Sequence, residues 1–302
     1  MKTLVIGASG QVGNALVRAL KARGHHVTGT YRSYALPGLA KLDASDSVAV
    51  EQLIEAIQPD WIFYPAGLSW VDLCEREPER CFFENVHVPI QVAQRATAVN
   101  AGFVYFSSEY IFDGYAGPYD EGARPNPLNI YGKSKFQAEQ QLADNIQRLI
   151  IVRTTVVYGT EVQQKNFVHQ LLKHSQRGQP LVVPNDQIST PTYNVDLAIA
   201  CVECAERQIA GVINLVGPDR MDRHTFAVEA CHVLGLDPQI LISRCTVETS
   251  QVAPRPLAAG LVNARARQTL STPMRGITEG LVAMKQALAS PLLSQAMKEK
   301  FA

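Results

Sequence analysis

A short, partly β-branched apolar run, Thr3-Leu4-Val5-Ile6, passes directly into Gly7-Ala8-Ser9-Gly10-Gln11-Val12-Gly13, and a helical stripe of Val12, Leu16 and Leu20 follows. Strand, glycine turn and helix in that order severely limit the folds open to a chain. Glycines permit the tight turn and let backbone amides approach a pyrophosphate, which then sits at the helix amino terminus. Gly7, Ser9, Gly10, Gln11, Val12 and Gly13 are therefore the candidate contacts to a dinucleotide.

The second expected strand is His26-Val27-Thr28-Gly29-Thr30-Tyr31. Sites that prefer NAD place an acid at the end of this strand to bind the ribose hydroxyls. Here Arg32 and Ser33 follow instead, and a guanidinium suits a 2′-phosphate, so NADP(H) is expected in preference to NAD(H). Further short apolar runs precede Asp43, span Trp61–Tyr64 before Pro65-Ala66-Gly67, and recur at Phe103–Phe106 and Leu149–Val152, with helical spacing over Val48–Ile57 between two of them. This alternation predicts an α/β fold: a Rossmann-type doubly wound parallel sheet. Beyond Gly159 the spacing is less regular, with helices expected over Asn166–Gln176, Asn194–Glu206, Arg223–Leu234 and Met274–Leu288. The expected organisation is a dinucleotide-binding domain over 1–157, completed by about 193–215, and a smaller, partly interleaved substrate-binding domain over 158–192 and 216–302. The terminal stretch Ser290–Ala302 is expected to fray.

The chemistry is suggested by Tyr131 and Lys135, which share one face of a helix when four residues apart. A free tyrosine, with a pKa of about 10, is a poor acid or base near neutrality. A neighbouring ammonium favours the phenolate, and bringing that pKa close to neutrality takes roughly 4 kcal/mol. A hydroxyl from Ser107 or Ser108, at the carboxyl end of the fifth strand, would hold a substrate oxygen while Tyr131 exchanges a proton with it. The sum is a carbonyl/alcohol redox site that needs a hydride carrier.

Lysine plus arginine and aspartate plus glutamate both total 28, which gives no electrostatic case for nucleic acid or an anionic membrane. No apolar run approaches the roughly 20 residues of a membrane span, and the first strand begins at Lys2, so a cytoplasmic protein is expected. The six cysteines lack a small-scaffold disulfide pattern and read as reduced thiols. Cys201-x-x-Cys204 has no second pair, and His169, His174, His224 and His232 show no metal-ligand grouping, so no metal site is expected. Ile277, Leu281, Met284 and Leu288 form a helical stripe that suits core packing or a homo-oligomer contact.

Taken jointly, the motifs resemble those of the extended short-chain dehydrogenase/reductases, within them the dTDP-4-dehydrorhamnose reductase-like family. They are Gly7-x-x-Gly10-x-x-Gly13, Ser107-Ser108-Glu109-Tyr110-Ile111-Phe112-Asp113-Gly114, Pro127-Leu128-Asn129-x-Tyr131-Gly132-x-x-Lys135, Asn185-Asp186-Gln187-x-x-x-Pro191-Thr192 and Arg255-Pro256. The resemblance implies an NADPH-dependent reductase of a nucleotide-linked 4-keto-6-deoxysugar. In it Tyr131 is the proton donor, Ser108 the orienting hydroxyl, and Lys135 both tunes Tyr131 and binds the nicotinamide ribose. It implies too that Asp43 lies near the adenine, that Ala66 and Gly67 line the cofactor cleft, and that Asn85 supports the site. Gln187, Thr190 and Arg255 would face the substrate.

Two departures bear on the sugar. The family often has Trp where this chain has Val156, and a small residue where it has Trp70, which implies a reshaped pocket. Dehydratases of the superfamily need an acid at the position of Tyr110, and epimerase-reductases resembling GDP-fucose synthase need a cysteine at the position of Glu109, so both activities are disfavoured. The same group includes the regulatory beta subunit of methionine adenosyltransferase, which leaves a binding role as the alternative, beside reduction of another carbonyl compound.

Overall fold

The computed structural model of the chain describes residues 1–290; most of the terminal stretch expected to fray lies outside the described residues. In chain order the elements are β1 (Lys2–Ile6), α1 (Gln11–Ala22), β2 (His26–Tyr31), β3 (Ala40–Lys41), α2 (Ser47–Ile57), β4 (Trp61–Tyr64), α3 (Val71–Arg76), α4 (Pro78–Phe82), α5 (Val88–Ala98), β5 (Gly102–Ser108), α6 (Ile130–Asn145) and β6 (Leu149–Thr154). There follow β7 (Val157–Tyr158), α7 (Phe167–Gln176), β8 (Leu181–Pro184), β9 (Ile188–Ser189), β10 (Thr192–Tyr193), α8 (Asn194–Glu206), β11 (Gly211–Asn214), β12 (Met221–Asp222), α9 (Arg223–Leu234), β13 (Leu241–Arg244), α10 (Ala264–Thr269) and α11 (Ile277–Ala289).

Seven strands form one sheet in the order β11-β6-β5-β4-β1-β2-β3, and every pairing in it is parallel. Parallel strands need helical crossovers, so both faces are covered and the strands read as continuous apolar runs. In β1 the two-residue period sends Val5 to the face packed by Leu16 and Leu20 of α1 and Leu197 and Cys201 of α8. Leu4 and Ile6 point to the other face, against Ile54 of α2, Val92 of α5 and Leu142 of α6. Leu16 and Leu20 are wholly buried, each worth about 1.5–3 kcal/mol in apolar transfer. The doubly wound α/β fold is thus present, with strand order reversing direction beside β1. The crevice between the carboxyl ends of β1 and β4 is where such sheets bind ligands.

Outside the sheet, β7 pairs with β10, β9 with β12 and β8 with β13. Helices α7, α9 and α11 close around Tyr158, Phe226, Leu281 and Met284. The stripe Ile277, Leu281 and Met284 is buried there and Leu288 packs at its margin, so core packing accounts for it. That last helix starts at Ile277 rather than Met274, because Gly276 takes the N-cap position and Asp219 Oδ2 accepts from the Ile277 amide at 2.7 Å. Strand β5 runs on through Ser107 and Ser108, which pair with Arg153 and Thr154 of β6. The chain between β4 and β5 also carries a π-helical turn, Phe83–His87, between α4 and α5, a feature that hydrophobic periodicity does not signal. Among the described residues no helix is long and apolar enough to cross a membrane, and no cluster of three metal-ligating side chains occurs.

Candidate active site

Helix α6 is held at its start from several directions. Asn129 caps it by accepting from the Gly132 amide at 2.8 Å while its own amide donates to the Pro254 carbonyl at 2.7 Å. Glu75 accepts from the Ile130 amide at 3.0 Å. A Cβ on Gly132 would lie 2.0 Å from the Tyr110 carbonyl oxygen, so only glycine lets the helix seat against the turn that follows β5. That seating packs Tyr131 edge-on against Tyr110, with ring centroids 5.7 Å apart, and brings its hydroxyl close enough to Ser108 for the serine to lower the phenol pKa. Lys135, one helical turn on, is buried; its Nζ donates to the Phe106 carbonyl at 2.9 Å and lies 5.9 Å from the Tyr131 ring centre. Ser108, Tyr131 and Lys135 therefore meet at the carboxyl end of β5. Ser107 is also buried, yet its hydroxyl has no hydrogen-bond partner.

One expectation is reversed. Proximity to Lys135 was expected to depress the Tyr131 pKa, but burial pushes the phenol above its ordinary value, with the influence of Ser108 only partly opposing it. The same burial lowers Lys135 to about 8, against the raising influence of Cys81, Cys74 and Glu139. Desolvation disfavours whichever form is charged, so it acts in opposite directions on a phenol and an ammonium. Beneath them Asn85, buried, accepts from the Leu68 amide at 2.8 Å and donates to the Leu68 carbonyl at 2.9 Å. It also reaches Ser134 of α6 at 3.2 Å, tying the loop after β4 to the helix that carries Tyr131.

The glycine turn lies across the crevice. A Cβ on Gly13 would sit 2.2 Å from the Gly7 carbonyl oxygen, and Gly7, at φ +93°, leaves only 3.0 Å between its own Cβ position and Ala66 Cβ. No side chain caps the amino terminus of α1, so its amides remain available to an anion. These features fit a dinucleotide pyrophosphate. Gln11 donates to the Val157 carbonyl at 3.1 Å, and the Ser9 carbonyl accepts from Gln163 at 2.9 Å, tying the turn to the segments after β6. Val12 packs against the core beneath. Gly67, at φ +152°, would place a Cβ 2.8 Å from Asn85 Oδ1 and 3.6 Å from Lys135 Nζ. Arg32 follows β2 at the cleft edge, and the exposed Asp43 carboxylate is held below its usual pKa by the Ser45 amide and hydroxyl.

Of the residues expected to face a substrate, Val156 and Gln187 line a narrow pocket with Glu109, Tyr110, Ser189 and Arg223. Val156 has φ +38°, a strained conformation for a β-branched residue and one that clusters at functional sites. Gln187 donates to Gln251, which also accepts from Arg255 Nε at 3.0 Å. Arg255 pairs with Asp72 at 2.7 Å and leaves Nη1 buried without a partner. Thr190 is buried and accepts from the Leu261 amide at 3.2 Å. Trp70, at the N-cap position of α3, is 62% exposed and is not among the residues that line this pocket.

Sequence reasoning passed over two neighbours. Glu109 is buried and accepts from the hydroxyls of Thr155 and Ser189 and, at 2.9 Å, from the Gly260 amide; burial raises its pKa. Its place directly after Ser108 was the available signal. Arg223, the first residue of α9, has an unpartnered buried Nε, and no local pattern marks it.

The family described as RmlD substrate binding domain matches residues 1–290. Methionine adenosyltransferase 2 subunit beta of Xenopus tropicalis is 31% identical over 84% of this chain and 78% of its own length. The structure of a dTDP-4-dehydrorhamnose reductase from Clostridium acetobutylicum superposes with a TM-score of 0.87 at 28% identity, covering 96% of this chain and 100% of that one. That of the Bacillus anthracis dTDP-4-dehydrorhamnose reductase, in complex with NADP, gives 0.87 at 26% identity over 95% and 100%. A parallel sheet with a glycine turn, a serine, tyrosine and lysine at its carboxyl edge and a match along the described chain lead to one assignment: the protein belongs to the RmlD-type, dTDP-4-dehydrorhamnose reductase-like family of extended short-chain dehydrogenase/reductases.

Proposed function

We propose that this chain is an NADPH-dependent reductase of a nucleotide-linked 4-keto-6-deoxysugar. The observation that carries the reading is the meeting of Ser108, Tyr131 and Lys135 beside the glycine turn. The dinucleotide, when bound, supplies a hydride. Ser108 orients the carbonyl oxygen, Tyr131 gives that oxygen its proton, and Lys135 holds the nicotinamide ribose and adds positive charge beside the phenol. Residues 1–157, with the later strand and helix over about 193–215, would hold the dinucleotide, and the remainder the sugar nucleotide. Unpartnered N–H groups on Arg223 and Arg255 suit the diphosphate of such a substrate. The NADP complex of the Bacillus anthracis relative supports the choice of cofactor, as does Arg32.

The test is NADPH oxidation by the purified protein against a panel of nucleotide-linked 4-keto-6-deoxysugars. Tyr131→Phe should keep dinucleotide binding and lower turnover by about 10²–10⁴-fold; unchanged turnover removes Tyr131 as proton donor. A second reading, a regulatory subunit, is favoured by the 31% identity to methionine adenosyltransferase 2 subunit beta. Tight dinucleotide binding without turnover on the whole panel, together with stable co-purification of a partner enzyme, would select it.

A further inference from the structure

Arg32 follows strand β2 with no acid beside it in sequence, yet an acid reaches the same place from elsewhere. Glu84, the second residue of the π-helical turn, sets Oε2 3.3 Å from both Nη1 and Nη2 of Arg32. Its other oxygen accepts from Arg80 Nε at 2.9 Å, and Arg80 Nη1 is held in turn by Glu77 at 2.8 Å. The Glu84 side chain is 13% exposed and that of Arg32 55%, so the carboxylate is anchored from behind while the guanidinium faces solvent. Because Arg32 directly follows β2, its pair with Glu84 lies at the carboxyl edge of the sheet. The next residue, Asn85, grips Leu68 behind Gly67. One π-helical turn, a feature often found at functional sites, thus serves both the cleft wall and the charge at its rim.

We propose that Glu84 is a specificity-determining residue for the dinucleotide: it holds Arg32 in an ion pair that a 2′-phosphate must displace, and so keeps the preference for NADP(H) over NAD(H) small. The inference rests on the dinucleotide reading above. A 2′-phosphate recruiting Arg32 exchanges one anionic partner for another and arrives beside a carboxylate that Arg80 holds in place. A ribose 2′-hydroxyl meets no such repulsion and finds an acceptor in the same carboxylate, the role usually filled by an acid at the end of the second strand. Because Arg32 is largely exposed and screened by salt, the effect is modest, about three- to tenfold in the ratio of affinities.

The experiment measures dissociation constants of NADP⁺ and NAD⁺ by calorimetry for the wild-type chain, E84Q, E84D, R32A and the R32A/E84Q double variant. E84Q is expected to tighten NADP⁺ about three- to tenfold while NAD⁺ binding stays level or weakens. E84D, which withdraws the charge from Arg32 but keeps it in the turn, should move the ratio in the same direction by less. R32A should weaken NADP⁺ selectively, and adding E84Q to it should tighten NADP⁺ by less than E84Q does alone, since the competition for the guanidinium requires Arg32 while the repulsion by the carboxylate does not. An unchanged ratio in E84Q, or equal tightening by E84Q with and without Arg32, overturns the role of Glu84 alone. Failure of the wild-type chain to bind either dinucleotide overturns the cofactor reading beneath it.

Discussion

Replacing Lys135 by Met should stabilise the fold while removing turnover. Lys135 is 6% exposed, and burial brings its pKa from 10.5 down to about 8. That fall corresponds to about 3 kcal/mol by which the fold disfavours the ammonium. Near pH 7 the group is protonated both in the folded and in the unfolded chain, so the folded state bears the full cost. Between about pH 8 and pH 10.5 the unfolded chain still holds the proton that the folded chain has released; it binds more protons, and stability rises with pH. Methionine keeps most of the packing and removes the charge, but it forfeits the hydrogen bond to the Phe106 carbonyl and the contact with the Tyr105 ring. These losses offset about 1–2 kcal/mol, leaving a net gain of about 1–2 kcal/mol near neutrality. Urea unfolding of both proteins at about pH 7 and about pH 9.5 measures it, with other titrating groups cancelling in the difference. The variant should be the more stable at the lower pH, and the gap should narrow at the higher. A variant that is less stable near neutrality, with a gap independent of pH, would refute the reasoning that burial of this charge is costly.

Asn85→Ala leaves the Leu68 amide and carbonyl without their partners at 2.8 and 2.9 Å and should cost about 2–4 kcal/mol in chemical denaturation; a loss below about 1 kcal/mol would mean that water replaces the side chain. Gly13→Ala drives a Cβ to 2.2 Å from the Gly7 carbonyl oxygen, so fluorescence titration should find dinucleotide binding abolished in a chain that keeps its far-UV circular dichroism. Wild-type affinity in that variant would show that the turn can yield.

The elements easiest to read were those whose causes are local. Strands β1, β4, β5 and β6 are buried on both faces, so their apolar runs stand out without reference to any partner. The glycine turn is legible because its spacing answers to backbone sterics within seven residues, Gly7 to Gly13. Tyr131 and Lys135 share a face by helical geometry alone. Trp70 could not be read this way, because whether a ring lines a pocket depends on how its loop docks; it stands largely exposed at the N-cap of α3.

By itself, then, the sequence determined the doubly wound sheet, the crevice at its carboxyl edge and the shared helix face of Tyr131 and Lys135, because period, turn chemistry and helix spacing act over a few residues; between Ser107 and Ser108 it left the choice to family resemblance. Only the tertiary structure decided the charges around them. Glu84 meets Arg32 across 52 residues, Glu109 meets the Gly260 amide across 151, and Asp72 meets Arg255 across 183. The direction of the Tyr131 pKa likewise followed from burial rather than from the nearness of Lys135 in sequence. Desolvation and ion pairing depend on what surrounds a group in space, and distant segments reach that space only once the core has folded.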